Sequence, residues 1–590
     1  MTDTSVIPTP ATPDVCSVNV LIEGSEISGE FHILSVAVSN ELNRIPRATL
    51  ELLDGEAAKA TFAAADTDHF IPGKRIEIRL GYRSHVDTVF KGIVVKQRIK
   101  VRKDASALLV ECRDEAVRMT RGLNSRYFIE QKDSEIIEDL IDRHRLQKSV
   151  QATTPLLKEV VQYDATDWDF LVCRAEANGQ VVTVRDGKVT VATPATGAAP
   201  VVTASYGATV LELDAEIDAG CQPTGITATS WSETTQNMLE ANAAEPTVTA
   251  SGNLAAHDLA AVLGGEPNRL RHAGKLSEPE LQAWANGRLA KDRLAKVRGR
   301  VRFQGFAAVA PGTMIEATGI GKRFQGRQYV SGVRHTVVNG NWETDVQFGL
   351  SPQLFAMSNP VSPPVAAGLL PAVRGLQMGV VTALQGDPDG EDRIKVRLPL
   401  VSPTEEGTWA RLATLDAGSS RGTYFRPEIG DEVVVGFLGN DPRFPLVLGM
   451  CHSSAKPAPE PATDDNHHKG YVSRSKIRLL FDDDKKSVVL ETPAGNKLAL
   501  SEADKRITIA DQNDNSITLD TDGVTITSAK DLILKAGNKI TIDGAADVEL
   551  KAANGFMAAG GQSAEITAPS TKISGDASTV IKGGTIVRIN

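Results

Sequence analysis

Apolar residues recur in short triplets, each apolar at its first and third position, through the last hundred residues of the chain. The triplets occupy residues 488–490, 498–500, 507–509, 517–519, 524–526, 532–534, 540–542 and 548–550. They begin seven to ten residues apart, and the last four begin eight residues apart. Because residues i and i+2 of a strand share a face, each triplet predicts a short strand that buries two side chains.

Strands this short have too little core to be stable in one chain. Residues that favour sharp turns (Gly, Asn and Asp) separate the triplets. Each buried side chain contributes about 1.5–3 kcal/mol, whereas each ordered residue loses about 1.5 kcal/mol of conformational entropy. The balance becomes favourable when several chains wind together and cover one another's apolar faces. We therefore predict an intertwined trimeric β-helix spike; the alternatives are a single-chain β-solenoid and a disordered tail.

The rest of the chain alternates between strand-like and helix-like patterns. Strands are predicted from Val18 to about Arg118 and again from Arg300 to Leu350. Between them, helices are predicted from Asp133 or Ser134 as N-cap, from Thr166, and from Ser277 to about Ala295. A Pro-rich segment marks a boundary, and five strands beyond it fit an OB-type barrel.

These patterns predict a mainly β protein made of a hub, an OB-fold and a needle, with the hub built from two β-barrels with helical inserts. The predicted parts are an N-terminal arm (1–14), the hub (15–355), a Pro-rich linker (356–373), the OB-fold (374–452), a second linker (453–480) and the trimeric β-helix spike (481–590).

One short motif occurs twice in the predicted hub. Pro72-Gly73 is followed by Ile76 and Glu77, and Pro311-Gly312 is followed in the same way by Ile315 and Glu316. Each copy reaches a further Gly, 19 residues on in the first and 20 in the second, within a strand pair. The echo suggests a duplicated β-domain; a chance match is the alternative.

Composition narrows the class of protein. The net charge is −10 with a pI near 5.6, so no basic footprint points to a nucleic-acid partner. The five cysteines are scattered and form no CxxC pair, which indicates neither a zinc site nor a disulfide framework. Residues 1–13 lack the basic and apolar regions of a signal peptide. We therefore expect assembly in the cytoplasm without a signal peptide.

Motifs with chemical potential are weak. The sequence from Gly418 to Gly422 fits the G-x-S-x-G pattern of serine hydrolases but lies between two predicted barrel strands. Residues 511–522 resemble a calcium loop but have Ser516 where Gly is required. The pair His467-His468 could gather six imidazoles on a threefold axis, and a solvated linker pair is the simpler interpretation. We predict no enzyme activity, no catalytic residues, no cofactor and no metal site.

The order of these parts resembles the VgrG-type central spike of contractile injection systems, similar to phage hub and spike proteins fused in one chain. The OB segment carries the most specific residues: Gly379, Asp387, Gly390, Arg393, Pro399, Trp409, Arg411, Pro427, Gly430, Phe437, Gly439, Pro445 and Gly449. In the hub, residues 166–179, 331–335, 339–342 and 347–350 resemble family segments, notably those of the extracellular injection-system branch.

The resemblance implies a homotrimer without enzyme activity that connects a hexameric inner tube to a tip and punctures the target membrane on sheath contraction. Its implied partners are the inner tube protein, a PAAR-type tip protein, baseplate components and effector cargo, with no nucleic acid. The implied particle is phage-tail-like and is either released or membrane-docked.

The resemblance also implies a site for the tip protein, at Gly583, Gly584, Ile586, Ile589 and Asn590. The interval between the OB-fold and the needle is too short for the lysozyme that phage spikes often insert there. A type VI secretion spike and a phage tail hub–spike are close alternatives. A glycan-binding or glycan-degrading tailspike is an alternative from another class, and it would need sugar-stacking aromatics. From residue 481 onward the only aromatic residues are Phe481 and Phe556.

Overall fold

The computed structural model describes residues 6–8, 15–27, 29, 31–83, 85–249 and 251–588, in two compact units, Met1–Gly449 and Met450–Asn590. Most of the predicted N-terminal arm therefore lies outside the described residues. Strands make up 39% and helices 12% of the chain, which confirms the prediction of a mainly β fold.

The hub contains strands β1–β21. They are Ser17–Ile22 (β1), Ser25–Glu26 (β2), Ile33–Glu41 (β3), Arg47–Leu53 (β4), Arg75–Tyr82 (β5), His85–Val101 (β6), Ser106–Arg113 (β7), Asn124–Lys132 (β8), Gln147–Val150 (β9), Leu156–Ala165 (β10), Val181–Arg185 (β11), Lys188–Ala192 (β12), Pro200–Ser205 (β13), Val210–Ile217 (β14), Ile226–Ser232 (β15), Asn237–Asn242 (β16), Asn268–His272 (β17), Val297–Gln304 (β18), Met314–Thr318 (β19), Gly326–Val338 (β20) and Asn341–Phe348 (β21).

Helices occupy the inserts and the start of the Pro-rich linker: Asp133–Arg143 (α1), Asp167–Ala177 (α2), Ala256–Leu263 (α3), Glu278–Leu294 (α4) and Phe355–Ser358 (α5). The predicted caps hold for α2, where Thr166 Oγ1 accepts from Asp169 N at 3.0 Å, and for α4, which follows Ser277. The prediction for α1 was wrong by one or two residues. Its N-cap is Lys132, whose N–H donates to Glu135 Oε2 at 2.8 Å, so Asp133 and Ser134 lie inside the helix.

One thirteen-stranded sheet runs through the hub in the order β14-β18-β21-β20-β3-β4-β7-β6-β5-β1-β2, with β19 also on β20 and β13 on β19. Five strands pair in the order β3-β4-β7-β6-β5, and five later strands pair in the order β14-β18-β21-β20-β19. The two orders are the same when β3 is matched with β14, β4 with β18, β5 with β19, β6 with β20 and β7 with β21. The two runs are joined where β20 pairs with β3. The hub therefore contains two copies of one strand arrangement, hydrogen-bonded edge to edge.

Details of register support the duplication. Both Pro-Gly turns donate the glycine N–H to the long strand, Gly73 N to Val94 O at 2.8 Å and Gly312 N to Val330 O at 2.9 Å. The ladder between β6 and β7 shifts between Val94 and Lys96, and the ladder between β20 and β21 shifts at the corresponding place. Shifts also correspond between β3–β4 and β14–β18. A chance PGxxIE match would not reproduce two irregularities at equivalent positions.

Each copy encloses its own apolar core. The first core includes Val36, Leu50, Ile78 and Leu108, and the second includes Val301, Phe303, Ile315 and Val346, all at most 2% exposed. The helical inserts have separate cores, around α1 and α2 and around α4. The inserts are therefore not needed to fill the two sheet cores.

The OB segment is a closed five-stranded barrel, as predicted, in the order β22-β23-β24-β28-β27. Its strands, with a short hairpin, are Gln377–Ala383 (β22), Ile394–Arg397 (β23), Thr408–Leu412 (β24), Ala417–Gly418 (β25), Arg421–Gly422 (β26), Glu432–Phe437 (β27) and Pro445–Met450 (β28). Val381, Ile394, Val396, Ala410, Val433, Val435 and Val447 fill it.

The second unit contains a seven-stranded antiparallel meander in sequence order. Its strands are His468–Val472 (β29), Arg478–Asp482 (β30), Ser487–Glu491 (β31), Lys497–Ser501 (β32), Arg506–Ala510 (β33), Ser516–Asp520 (β34) and Gly523–Thr527 (β35). The meander thus begins inside the segment 453–480 that the sequence analysis assigned to a linker.

The two Pro-Gly turns predict matched effects on stability. Gly73 has φ +103° and Gly312 has φ +89°, so Gly73→Ala and Gly312→Ala should each destabilise the hub by about 1–2 kcal/mol through backbone strain. The measurement is the midpoint of thermal unfolding of each variant. Gly449→Ala is the control, since Gly449 has ordinary φ and open space at its Cβ. Unchanged midpoints in both turn variants would contradict the assigned turn geometry.

Candidate interaction surfaces

One face of the needle meander carries two columns of large apolar side chains. The ladder aligns Leu490, Leu498, Ile509, Ile517 and Ile526 in one column and Val488, Leu500, Ile507, Leu519 and Val524 in the other. These are the outer positions of the first five predicted triplets, and all five triplets lie in strands. The alternation therefore produces the expected two apolar side chains per strand.

The described part of one chain leaves this face largely uncovered. Nine of its ten residues are exposed, from 36% at Ile517 to 67% at Val524, and Val488 is half-buried, whereas residues of the hub cores are nearly fully buried. A contiguous exposed apolar surface of this kind marks a site of association. The needle face is therefore an interface that the isolated chain leaves uncovered.

The last three triplets differ from prediction. Residues 532–534, 540–542 and 548–550 form no strand in the described part of the chain, and their apolar side chains are exposed. A strand requires a hydrogen-bonded neighbour, and within one chain the segment 528–588 provides none. The triplet pattern could predict extended, amphipathic segments but not whether their partners belong to the same chain.

Glycines set recurring bends in this segment. A Cβ on Gly544, Gly560, Gly575 or Gly583 would come within 2.6 Å of the carbonyl oxygen three residues further along. Because real Cβ atoms do not approach so closely, each position requires glycine for its local bend. Gly583 is one of the residues predicted to contact a tip protein.

The other predicted tip residues are only partly described. Gly584 is exposed, Ile586 is 64% exposed, and Ile589 and Asn590 lie outside the described residues. Gly583, Gly584 and Ile586 are neighbours in sequence at the end of the needle segment. The exposed apolar side chain of Ile586 is available for a contact.

The hydrolase-like motif is a hairpin. Gly418 and Arg421 are paired across the two-residue turn between β25 and β26, and Ser420 has φ +57°. Arg421 Nη1 lies 2.6 Å from Asp416 Oδ1, which ties the hairpin to the preceding chain. The strand-to-helix turn that a serine nucleophile requires is not formed here.

The calcium-like segment is a polar turn. Asp511 Oδ1 accepts from Asn513 N at 2.8 Å and from Asn515 N at 2.9 Å, between β33 and β34. Hydrogen bonds from the Asn515 side chain and from these backbone groups lower the pKa of Asp511 to about 2. The carboxylate therefore serves the turn itself.

His468 connects the linker to the needle sheet. Its Nδ1 lies 2.8 Å from Glu460 Oε2 and its Nε2 lies 3.4 Å from Asp482 Oδ2. The hydrogen bond to Glu460, with the nearby charge of Asp482, raises the pKa of His468 above its usual value of 6.5. His467 faces a different carboxylate, Asp465, so the two imidazoles have separate partners within one chain.

The Asp387–Gly390 turn, part of the family resemblance, is held by Arg393. Asp387 accepts from the backbone N–H groups of Asp389, Glu391 and Arg393, and Arg393 Nη2 donates to Asp387 Oδ1 at 2.5 Å. The Arg393 guanidinium holds the pKa of Asp387 well below its usual range. The hydrogen bonds between Asp387, the turn backbone and Arg393 therefore fix the turn between β22 and β23, which gives the motif a structural role.

Two hub edges carry charge of opposite sign, and sequence reasoning missed both. Lys96, Arg98, Lys100 and Arg102 alternate along the second half of β6 and just beyond it. Glu212, Asp214, Glu216 and Asp218 alternate along β14 and just beyond it. In the sequence, this signal is a charged residue at every second position, basic in 96–102 and acidic in 212–218.

The described part of the chain holds no cluster of three or more His, Cys, Asp or Glu side chains placed to bind a metal ion. Among the described helices, none is long and apolar enough to cross a membrane. All five cysteines are free thiols.

Three segments of the chain match models of known protein families. Residues 377–452 match the type VI secretion system/phage-baseplate injector OB domain, and residues 487–579 match the phage baseplate V C-terminal trimerisation domain. Residues 12–339, more than half of the chain, match the Alg8 N-terminal domain. The chain belongs to the Alg8 N-terminal domain family through its hub, and its OB and trimerisation segments support a spike of the VgrG type.

Individual relatives match over shorter stretches. The type VI secretion system spike proteins VgrG1b and VgrG1a of Pseudomonas aeruginosa are 29% identical over 190 residues and 28% identical over 203 residues. These stretches cover 30% and 32% of this chain, and 26% and 31% of the relatives. The chain thus matches less than a third of the length of either relative.

Among solved structures, a tail protein from Neisseria meningitidis aligns with a TM-score of 0.43 and 16% identity, covering 58% of this chain and 98% of its own. An E. coli component of the type VI secretion system aligns with a TM-score of 0.37 and 13% identity, covering 73% and 99%. Likenesses at this level do not bear on the assignment above.

The contacts of His468 predict a pH-dependent linker. Because the pKa of His468 is raised in the fold, its contribution to stability is complete below pH 6.5 and is lost as the pH rises through the raised pKa. Backbone hydrogen exchange of residues 460–470, corrected for the intrinsic pH effect, should therefore be slower relative to the unfolded chain at pH 6 than at pH 8.5. The variant His468→Gln should lose this difference, whereas His452→Gln should keep it. Equal corrected protection at both pH values in the parent would refute the prediction.

Proposed function

We propose that the protein is the non-enzymatic, trimeric central spike and baseplate hub of a contractile, phage-tail-like injection particle. In this role the hub connects the hexameric inner tube to the tip, and the needle punctures the target membrane when the sheath contracts. The observation that carries the proposal is the two-column apolar face of the needle. One chain leaves it exposed, and it lies in the stretch that matches a trimerisation domain.

The duplication in the hub supports a role next to a hexameric tube. Three chains, each with two copies of the same strand arrangement, present six similar units. A trimer can then meet a sixfold ring with equivalent contacts at each position. This symmetry gives the two hub copies a purpose that a monomeric protein would not require.

The needle supports a mechanical role. When three chains cover each other's apolar faces, a strand cannot separate without exposing apolar residues of its neighbours. Resistance of this kind is kinetic, because it depends on the barrier to unfolding under load. Few aromatic residues lie on the needle, which disfavours the alternative of a glycan-binding or glycan-degrading tailspike. The type VI spike and the phage hub–spike share the proposed mechanics.

We extend the proposal to the partners and location. A PAAR-type tip protein would dock at Gly583, Gly584 and Ile586, together with Ile589 and Asn590. The inner tube protein and baseplate components would contact the hub, with effector cargo in or behind the spike. Assembly would take place in the cytoplasm, before the particle is released or docked at a membrane.

The proposed trimer has a defined mass, and a single charged substitution on the needle face should disrupt it. Three chains of 62.9 kDa give about 189 kDa by light scattering. Ile517→Asp places a charge on the apolar needle face and should reduce the trimer to smaller species, because burying three unpaired carboxylates is costly. Thr518→Asp, on the same strand but the opposite face, is the matched control and should keep the mass. A monomer of about 63 kDa for the parent would overturn the trimeric spike.

The tip site predicts a loss of binding without a loss of assembly. Ile586→Asp should abolish co-purification of a PAAR-type tip protein while light scattering still gives the trimer mass. The control is Leu534→Asp, at the outer position of a needle triplet where one chain leaves the side chain 62% exposed, which should impair assembly instead. Full tip binding by the Ile586→Asp trimer would show that the tip protein docks elsewhere.

A further inference from the structure

Two backbone edges of the hub sheet have no strand partner within the described chain. β14 is the last strand at one end of the sheet and pairs only with β18. β6 pairs with β5 as far as Ile93 and with β7 from Ile93 to Val101, so one edge of its second half is free. Unpaired edges of this length are templates for pairing with another chain.

The joint between the two hub copies shows how such edges fit together. β20 uses the free edge of its second half to pair with β3, from Gly332 opposite Glu41 to Val338 opposite Ser35. β6 is the counterpart of β20, and β14 is the counterpart of β3. The duplication therefore provides a template for a second joint of the same kind, between β6 of one chain and β14 of another.

The register of that joint follows from equivalent positions. Lys96 faces Glu111 as Gly332 faces Gln347, so Lys96 corresponds to Gly332 and Lys100 to Thr336. On the other strand, Ala37 faces Thr49, which in turn faces Glu111. In the same way Asp214 faces Arg300, which in turn faces Gln347. Asp214 therefore corresponds to Ala37. Since Thr336 lies opposite Ala37, Lys100 would lie opposite Asp214.

The charges match at each step of this register. The basic residues Lys96, Arg98, Lys100 and Arg102 fall opposite Asp218, Glu216, Asp214 and Glu212, in that order. The internal joint has no such pairing, since Gly332, Arg334, Thr336 and Val338 face Glu41, Ser39, Ala37 and Ser35. Opposite charges directly across two strands are favourable, and like charges are unfavourable.

Existing ion pairs leave room for the new ones. Asp214 already pairs with Arg300 at 3.0 Å, yet its side chain is 74% exposed. Glu216 pairs with Arg298 at 2.7 Å and is also mostly exposed. On the other edge, Lys96 and Lys100 each pair with a glutamate, Glu111 and Glu51. With β6 beside β14, columns of negative and positive charge would alternate across the sheet.

The opposite face of the joint is apolar. Ile99 is 49% and Val101 is 60% exposed, although both belong to strand β6 of a closely packed hub. In the derived register Ile99 lies opposite Ala215 and Val101 opposite Leu213, two residues that pack on the second hub core. The neighbouring chain would thus extend that core over the exposed residues.

We propose that β6 of one hub pairs antiparallel with β14 of the next, with Lys100 opposite Asp214, so that three chains close into a ring of six copies. The contact is head-to-tail, since each chain offers one basic and one acidic edge. The proposal rests on the trimer of the proposed function and identifies the hub contact within it. The partner is therefore a second copy of this chain.

Cysteine cross-linking of the full chain tests the register. The background carries Cys173→Ser, Cys221→Ser and Cys451→Ser, because these three cysteines are less buried than Cys16 and Cys112. Ile99→Cys with Ala215→Cys should give a covalent trimer on a denaturing gel after mild oxidation. Val101→Cys with Ile217→Cys is the control, since the register separates these residues by four positions, about 13 Å along the strands, and should stay largely monomeric.

Charge reversal tests the pairing itself. In the Ile99→Cys/Ala215→Cys protein, Lys100→Glu should slow cross-linking by up to about fivefold, the range for one cross-strand charge pair. Adding Asp214→Lys should restore the rate. A restored rate supports direct pairing, whereas continued slow cross-linking in the double reversal refutes it.

The outcomes separate this proposal from the proposed function. A parent trimer by light scattering that gives no cross-link, an off-register cross-link or a disulfide within one chain would overturn the β6–β14 joint and leave the spike intact. A monomeric parent would instead overturn the spike. A covalent trimer from the in-register pair alone supports both.

Discussion

The structure depends on one constraint, which is the apolar surface of the needle that the described residues leave exposed to water. The needle presents apolar side chains in two columns that no other described residue of the chain covers. The segment after residue 527 has the same apolar pattern without a hydrogen-bonded neighbour. A needle segment with this pattern gains little free energy by folding alone, because much of its apolar area remains in water. Association is then part of folding, and the number of chains is a property of the needle.

The hub solves a related problem by duplication. Its two copies share one continuous sheet through the β3–β20 ladder, so that an edge of each copy is protected by the other. Irregularities of register recur at equivalent positions in both copies, which indicates that the strand geometry was kept while the side chains diverged. Divergence is most evident at the joints: the internal joint is mainly small and polar, whereas the free edges carry alternating charge.

Much of this could be predicted from the sequence because period and turn chemistry are local. The triplets from 488 to 526, the cap at Thr166 and the barrel strands from 377 to 450 all follow from neighbouring residues. The duplication could be suggested from Pro72 and Pro311 but needed the ladder registers to establish it. The absence of strands at 532–534 could not be predicted, since pairing depends on chains that the sequence pattern does not specify. The alternating charges of 96–102 and 212–218 are visible in the sequence. Only the strand order shows that they lie on free edges of the hub sheet.

The placement of the helical inserts has an evolutionary consequence. The segments around α1–α2 and around α4 leave the duplicated sheet and return to it, and each packs on a core of its own. Away from contacts such as the hydrogen bonds between Val182 and Asn43, their length and sequence can therefore change without altering the ladders of the two sheet copies. Such segments are places where new binding surfaces can be acquired while the scaffold retains its symmetry. The helical inserts can therefore diversify faster than the duplicated sheet, whose strands are constrained by their neighbours.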